Sequence, residues 1–155
     1  MSGKIIGGGI VAIALIFGAL VYYLQEYYYY EEVAASPEEI SLTLIGGAPE
    51  PILAENIEAI DATSSPIRYR ACFTTPMSLS MLTETYEPYA EAVPLVGPRW
   101  FGCFDAQEVG EALERGEALA FLGQKDVANG VDRVVAIFED GRGYVWHQVN
   151  EEISK

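Results

Sequence analysis

The sequence predicts an α+β protein, in which an N-terminal transmembrane helix is followed by one small exported domain with a largely antiparallel sheet and two or three short helices. Three observations predict this class. Residues 5–24 are apolar and carry no charged side chain. Later segments alternate apolar and polar residues, as half-buried strands do. Short amphipathic segments with capping residues lie between them. Of the 155 residues, those beyond the helix suffice for one domain of ordinary size.

The apolar stretch reads IIGGGIVAIALIFGALVYYL and is long enough to span a bilayer. About 20 residues at about 1.5 Å each match a hydrocarbon core of about 30 Å. Lys4 precedes the stretch, whereas Glu26, Glu31 and Glu32 follow it. Since cations favour the cytoplasmic side, residues 1–4 are expected in the cytoplasm and the bulk of the chain on the other side of the membrane. Six tyrosines at positions 22–23 and 27–30 are expected at the outer boundary, where the phenol ring prefers to lie.

A cleaved secretory signal is the competing interpretation of this segment. Val33, Ala34 and Ala35 are residues that a signal peptidase accepts, and cleavage would fall before Ser36. The apolar stretch is longer than a typical signal core of about 7 to 15 residues, which favours an uncleaved anchor. Both interpretations export the domain.

Small residues are spaced four apart along the predicted helix. Gly8 and Ala12 share one face, and Ala14 and Gly18 share another. Such faces let a second helix approach closely, so a membrane-protein partner is expected in addition to membrane lipid. Glycine and alanine are also simply common in spanning helices, and that alternative stays open.

The rest of the chain is predicted to contain a stalk, a domain and a tail. The tyrosine-rich and acidic residues 25–39 predict a juxtamembrane stalk, residues 40–150 the α+β domain, and residues 151–155 a C-terminal tail. Alternation predicts strands at 40–45 and 67–73, and a hairpin of 133–138 with 144–149 after an extended segment at 118–122. Helices are predicted at 54–60, after Thr75-Pro76, and from Asp105 to a stop at Gly116. The proline-containing segment 87–99 predicts an extended connection.

Composition and motifs exclude several functional classes. Asp and Glu number 23 and Lys and Arg 9, for a net charge of −14, so a nucleic-acid partner is not expected. The sequence contains no GxSxG, GxGxxG or phosphate-loop motif. Two cysteines and one histidine do not compose a metal site. We therefore expect no cofactor, no metal and no enzymatic activity.

Cys72 and Cys103 form an even pair in a domain predicted to be exported. In an oxidising compartment such a pair predicts a disulfide. Two buried free thiols are the alternative. A redox role is not expected, because the sequence contains no CxxC pair.

His147 and the scarce cations are the candidate ligand-binding side chains. Strand alternation places Tyr144 and Trp146 on one face and His147 on the other. Arg68 and Arg70 are expected on one face of the 67–73 strand, and Arg133 opens the hairpin. A small anionic pocket formed by Arg68, Arg70, Arg133 and His147 is one hypothesis. The other hypothesis is that the arginines form structural ion pairs and that the histidine has a structural role.

Four phrases of the sequence resemble an uncharacterised family of small proteins from marine and photosynthetic alphaproteobacteria. They are APEPILAE (48–55), SSPIRYRACFTTP (64–76), MLTETYEPY (81–89) and DRVVAIFEDGRGYVWHQVN (132–150). The resemblance implies a single-pass membrane protein with an exported domain of unknown function, and it brings no catalytic residues. Some relatives carry an automated label of histidine kinase. This chain does not support that label, since 155 residues cannot hold a phosphoacceptor helix pair and a nucleotide-binding domain.

These observations and the resemblance favour a membrane-anchored periplasmic accessory or assembly protein without enzymatic activity. It is expected in the lipid of the bacterial inner membrane, with its N-terminus in the cytoplasm and its bulk in the periplasm. The alternative is a periplasmic module that binds or senses a small ligand or peptide. An enzyme centred on His147 is a third and weaker hypothesis, because a lone strand histidine is more often structural than catalytic.

Overall fold

The N-terminal part of the protein is one long exposed helix. The computed structural model describes residues 2–34 and 36–150. Helix α1 (Gly3–Tyr23) is N-capped by Ser2, whose side chain accepts a hydrogen bond from the Lys4 backbone N–H. A π-helical turn, Leu24–Tyr28, continues it. No residue of α1 is buried, as expected for a helix whose apolar surface is not covered by its own chain. The predicted C-terminal tail, 151–155, lies outside the described residues.

The head that follows is built on a six-stranded antiparallel sheet, which confirms the predicted α+β class. Its strands lie side by side in the order β1-β4-β5-β8-β7-β6. A separate two-stranded hairpin, β2 with β3, packs beside the sheet. The strands are β1 (Glu31–Val33), β2 (Ser41–Thr43), β3 (Pro49–Pro51), β4 (Glu55–Asp61), β5 (Arg70–Thr74), β6 (Ala118–Ala128), β7 (Val131–Phe138) and β8 (Arg142–Val149).

Both faces of the sheet are covered, because the strands are apolar on both sides. On one face Phe73 and Val145 pack against the β2–β3 hairpin and helix α2 (Leu79–Thr85). On the other face Trp146 packs against helix α3 (Ala106–Arg115) and the aromatic residues that precede it. Alternation along β5 and β8 assigns successive residues to opposite layers, as predicted for Tyr144, Trp146 and His147.

The termini of α3 confirm the capping prediction. The Asp105 carboxylate accepts hydrogen bonds from the backbone N–H groups of Gln107 and Glu108, at 2.9 and 3.2 Å. Gly116 ends the helix at φ 74°, in the left-handed region that glycine adopts without a Cβ clash. Helix α2 begins three residues later than predicted. Its N-cap is Ser78, which accepts from the Met81 N–H, rather than Thr75.

The predicted helix at 54–60 is wrong, since this segment is strand β4. Ile57 and Ala59 face the β2–β3 layer, whereas Ile60 faces the α3 layer. The period is therefore two rather than 3.6. A register irregularity between Glu55 and Glu58, with Asn56 at φ 52°, interrupts the alternation and hides the strand from pattern reading.

The predicted stalk at 25–39 is also wrong for its central part, which belongs to the folded head. Strand β1 pairs with β4, with Glu31 opposite Asp61 and Val33 opposite Ala59. Tyr30 packs against the α3-side core. A signal-peptidase cut at Ala35 lies outside the described residues. Such a cut would separate the head from its own edge strand.

Candidate functional site

His147 lies opposite Arg133 in the β7–β8 ladder, and their side chains are bonded. The Arg133 Nε–H donates to His147 Nε2 at 3.0 Å. Since Nε2 accepts, the proton of the neutral ring is on Nδ1, which donates to the Pro66 carbonyl at 2.7 Å. The imidazole also stacks on Tyr69, with ring centroids 4.9 Å apart. Both ring nitrogens are therefore engaged within the fold.

Burial keeps this histidine neutral. His147 is 7% exposed, and desolvation, the largest cause, lowers its pKa from 6.5 to about 4. The hydrogen bond to Pro66 opposes this change, whereas the nearby Arg133 cation supports it. Burial likewise raises the pKa of the Tyr69 hydroxyl to about 12. A ring that is buried, neutral and bonded at both nitrogens is suited to holding the sheet together rather than to accepting a substrate proton.

Arg70 lies on the opposite face of the sheet from His147. Its guanidinium donates to the carbonyls of Leu95, Ile67 and Tyr69 at 2.9, 2.6 and 2.7 Å, and lies 5.8 Å from the Phe104 ring centroid. Burial lowers the pKa of this group, although the residue remains a cation. The Arg70 guanidinium is therefore engaged by backbone carbonyls of the fold.

The structure does not bring the four predicted ligand residues together. Strand β5 begins at Arg70, so Arg68 precedes it and lies over the rings of Tyr29 and Tyr30, 5.5 Å from each centroid. Arg133 and His147 contact one another on the other face of the sheet. The hypothesis of one anionic pocket formed by all four side chains is therefore not supported by their placement.

A disulfide joins Cys72 and Cys103, as predicted from the even pair. Cys72 lies on the α3-facing side of β5, and Cys103 lies in the loop that leads into α3. The bond connects the sheet to the covering layer across 31 residues of sequence. Both cysteines of the chain are used in this bond.

The head is bonded directly to the outer end of the helix, a contact that sequence reasoning missed. The Arg99 backbone N–H donates to the Glu26 carboxylate at 3.0 Å, and the Trp100 indole N–H donates to the Glu26 backbone carbonyl. The Trp100 ring stacks on Tyr27 with centroids 6.4 Å apart and an interplanar angle of 14°. We call these four residues the juxtamembrane contact. The tyrosine run signalled an interface, but no local pattern indicated which part of the head would meet it.

An apolar cleft of about 550 Å³ lies between α3, strand β6 and residues 88–94. Val93, Pro94, Leu113 and Leu119 are among its lining residues, and two carboxylates, Glu91 and Glu114, also line it. The 91–93 wall is held by one side chain of β8: the Gln148 amide accepts from the Val93 N–H at 2.9 Å and donates to the Glu91 carbonyl at 3.3 Å. The cleft is the right size for a small ligand.

The predicted helix-packing residues of α1 all lie on exposed surface. Gly8, Ala12, Ala14 and Gly18 are exposed, and a Cβ added at Gly8 or Gly18 would meet no atom within 4 Å. The helical stretch of 26 residues, Gly3–Tyr28, is long and apolar enough to cross a membrane, and none of it is buried. A signal sequence would pass the same test. Within residues 2–34 and 36–150, His, Cys, Asp and Glu form no group of three that could hold a metal ion.

A protein-family model matches most of the chain. The model described as "Family of unknown function (DUF6446)" matches residues 40–155. The chain belongs to this family. The DUF6446 match includes the disulfide, the cleft and the His147 environment, and it begins after α1 and β1. No curated protein and no solved structure matches the chain.

Proposed function

We propose that this protein is a membrane-anchored accessory or assembly protein of the bacterial inner membrane, with its N-terminus in the cytoplasm and its head in the periplasm. It has no enzymatic activity of its own. Helix α1 binds a membrane-protein partner, and the head acts at the periplasmic surface of that partner.

The observation that carries the proposal is a fully exposed apolar helix whose outer end is bonded to the head. None of the residues of α1 is buried against the chain. Lys4 precedes the uncharged stretch 5–24 and Glu26 follows it, which supports an external head. The bonds from Arg99 and Trp100 to Glu26 make helix and head one continuous support, so a partner bound to the helix would hold the head in a defined orientation.

Three further features support the proposal. The Cys72–Cys103 disulfide suits an oxidising compartment. Removal of the N-terminal segment before Ser36 would take away strand β1 and Tyr30 of the core, which favours an uncleaved anchor. The strongest candidate for acid-base chemistry, His147, is occupied by bonds within the fold.

The test is extraction of the tagged protein from its native membrane in mild detergent, followed by mass spectrometry of whatever remains bound in near-equal amount. A stoichiometric membrane protein that is lost on Gly8→Leu or Gly18→Leu is the expected result. Neither glycine contacts the rest of the chain, so a leucine there changes only the outer surface of the helix. Protein that purifies without a membrane-protein partner would contradict the proposal.

Gly9→Leu is the matched control variant. Gly9 also has no atom within 4 Å of an added Cβ. At about 100° per residue it lies about 100° around the helix from Gly8 and about 180° from Gly18. Partner loss in the two test variants but not in Gly9→Leu would assign the docking to the small-residue faces. Equal loss of the partner in all three variants would indicate a general effect of side-chain size on the helix surface.

A periplasmic binding module is the second candidate, and the cleft beside α3 is the observation that favours it. Its apolar lining and its two carboxylates suit an apolar ligand, neutral or cationic, better than the anion expected from the arginines. Gly110→Leu would project a side chain towards the cleft, because an added Cβ there meets only Pro94, at 4.0 Å. Native mass spectrometry that finds a small molecule on the wild-type protein, and none on this variant, would support binding.

A further inference from the structure

The depth of the juxtamembrane contact in the bilayer follows from the helix. The uncharged stretch ends at Leu24, and Glu26 is the first charged side chain beyond it. A carboxylate next to a spanning segment lies in the headgroup region, which is roughly 5–7 Å thick on each side of the hydrocarbon core. Any residue in direct contact with Glu26 therefore lies at headgroup level.

A loop of the head meets that requirement. Arg99 and Trp100, at the end of the loop of residues 93–100, both donate hydrogen bonds to Glu26. The indole also stacks on Tyr27. Trp100 is only partly buried by these contacts, and Arg99 is exposed. Tryptophan is enriched at the membrane–water interface, because its ring is largely apolar while its N–H can stay hydrogen-bonded.

The same loop exposes an aliphatic side chain that the fold does not use. Val96 is 81% exposed, more than any other large hydrophobic residue in the described part of the chain. It is three residues from Arg99, so their Cα atoms lie within about 11 Å of each other. The loop is held to the sheet by Arg70, whose guanidinium donates to the carbonyls of Leu95 at 2.9 Å and Val96 at 3.4 Å.

We propose that the loop of residues 93–100 is a second membrane contact, which lies in the outer lipid headgroup region beside α1 with Trp100 and Val96 towards lipid. The inference rests on the proposed membrane anchor and adds to it a defined orientation of the head on the bilayer. The attraction is the interfacial preference of indole and aliphatic groups rather than charge, since the Glu26 carboxylate contacts Arg99 and Glu32 lines the same cavity as Trp100. Neutral lipid is therefore sufficient.

Tryptophan fluorescence of the full chain in nanodiscs tests this contact. The chain has two tryptophans, and Trp146 is fully buried in the core of the head, where it serves as an internal control. Nanodiscs are prepared from phosphatidylcholine, either unmodified or brominated near the top of the acyl chain. We expect bromine to quench a substantial part of the emission, and Trp100→Phe to remove the quenchable part. The same quenching is expected when phosphatidylglycerol is added.

Val96→Asp tests the loop without touching the tryptophans. Because Val96 packs against little, the variant is expected to fold normally and to show weaker quenching of Trp100. Leu53→Asp is the matched control: Leu53 is also an exposed aliphatic residue, 66% accessible, and it lies outside the loop. It should leave quenching unchanged.

The outcomes separate this inference from the proposed function. A protein that enters nanodiscs but shows no bromine quenching, or the same quenching in Val96→Asp as in wild type, retains its anchor and refutes the lipid contact. A protein that does not enter nanodiscs refutes both.

Discussion

The buried histidine predicts a specific dependence of stability on pH. In the folded protein His147 takes up a proton only near pH 4, whereas in an unfolded chain it does so near pH 6.5. Between these values the unfolded state binds more protons, so the free energy of unfolding falls as the pH falls from 6.5 to 4. A difference of about 2.5 between the two pKa values, at about 1.4 kcal/mol per pH unit, corresponds to a full loss of about 3.5 kcal/mol, of which roughly 3 kcal/mol has occurred at pH 4.

The control variant is His147→Gln, in which an amide replaces the ring and does not titrate. Chemical unfolding in detergent, followed by tryptophan fluorescence from pH 7 to pH 4, should show the wild type losing roughly 3 kcal/mol more than the variant. The carboxylates titrate in both proteins, so the difference between the curves isolates the histidine. The pKa can also be measured directly by NMR, because the chain has one histidine. A midpoint near 6.5, or parallel stability curves, would refute the buried neutral assignment.

Three other predictions concern the disulfide, a glycine and the topology. Replacing Cys72 and Cys103 by serine should lower the free energy of unfolding by about 3–4 kcal/mol, because the bond closes a 31-residue separation; an unchanged denaturation midpoint would contradict this. Gly143→Ala should lower the free energy of unfolding by about 1–3 kcal/mol, because its Cβ would lie 2.1 Å from the Phe73 ring. Gly102→Ala is the control: its Cβ would meet no atom within 4 Å, so its thermal unfolding should match that of the wild type. A reporter that works only in the periplasm should be active when it is fused after Lys155. Activity of a reporter that works only in the cytoplasm would overturn the orientation.

The elements that the sequence predicted well are those with local signals. Helix α3 has an acidic N-cap at Asp105 and a glycine stop at Gly116, both within one turn of the residues they cap. Helix α1 follows from a long uncharged stretch, and the β7–β8 hairpin from two alternating runs around a glycine-containing turn. In each case the residues that determine the element are neighbours in sequence.

The wrong predictions have a common cause, which is a partner distant in sequence. Residues 55–61 became a strand because β5 and β1 offer backbone partners on both sides, and this outweighs a helix-like spacing of isoleucines. The stalk became part of the head because Val33 pairs with Ala59. Arg68 and Arg70 do not share a strand face, because β5 begins only at Arg70.

The sequence by itself determined the class of this protein: an apolar helix, an acidic α+β head and a cysteine pair, all of which depend on composition and short-range periodicity. Only the tertiary structure decided which residues of these parts contact one another. Trp100 meets Glu26 across 74 residues, and the proton on His147 is assigned by bonds to Arg133 and Pro66. Such contacts depend on how the layers stack, because the free energy that selects them is shared over the whole core rather than stored in any segment.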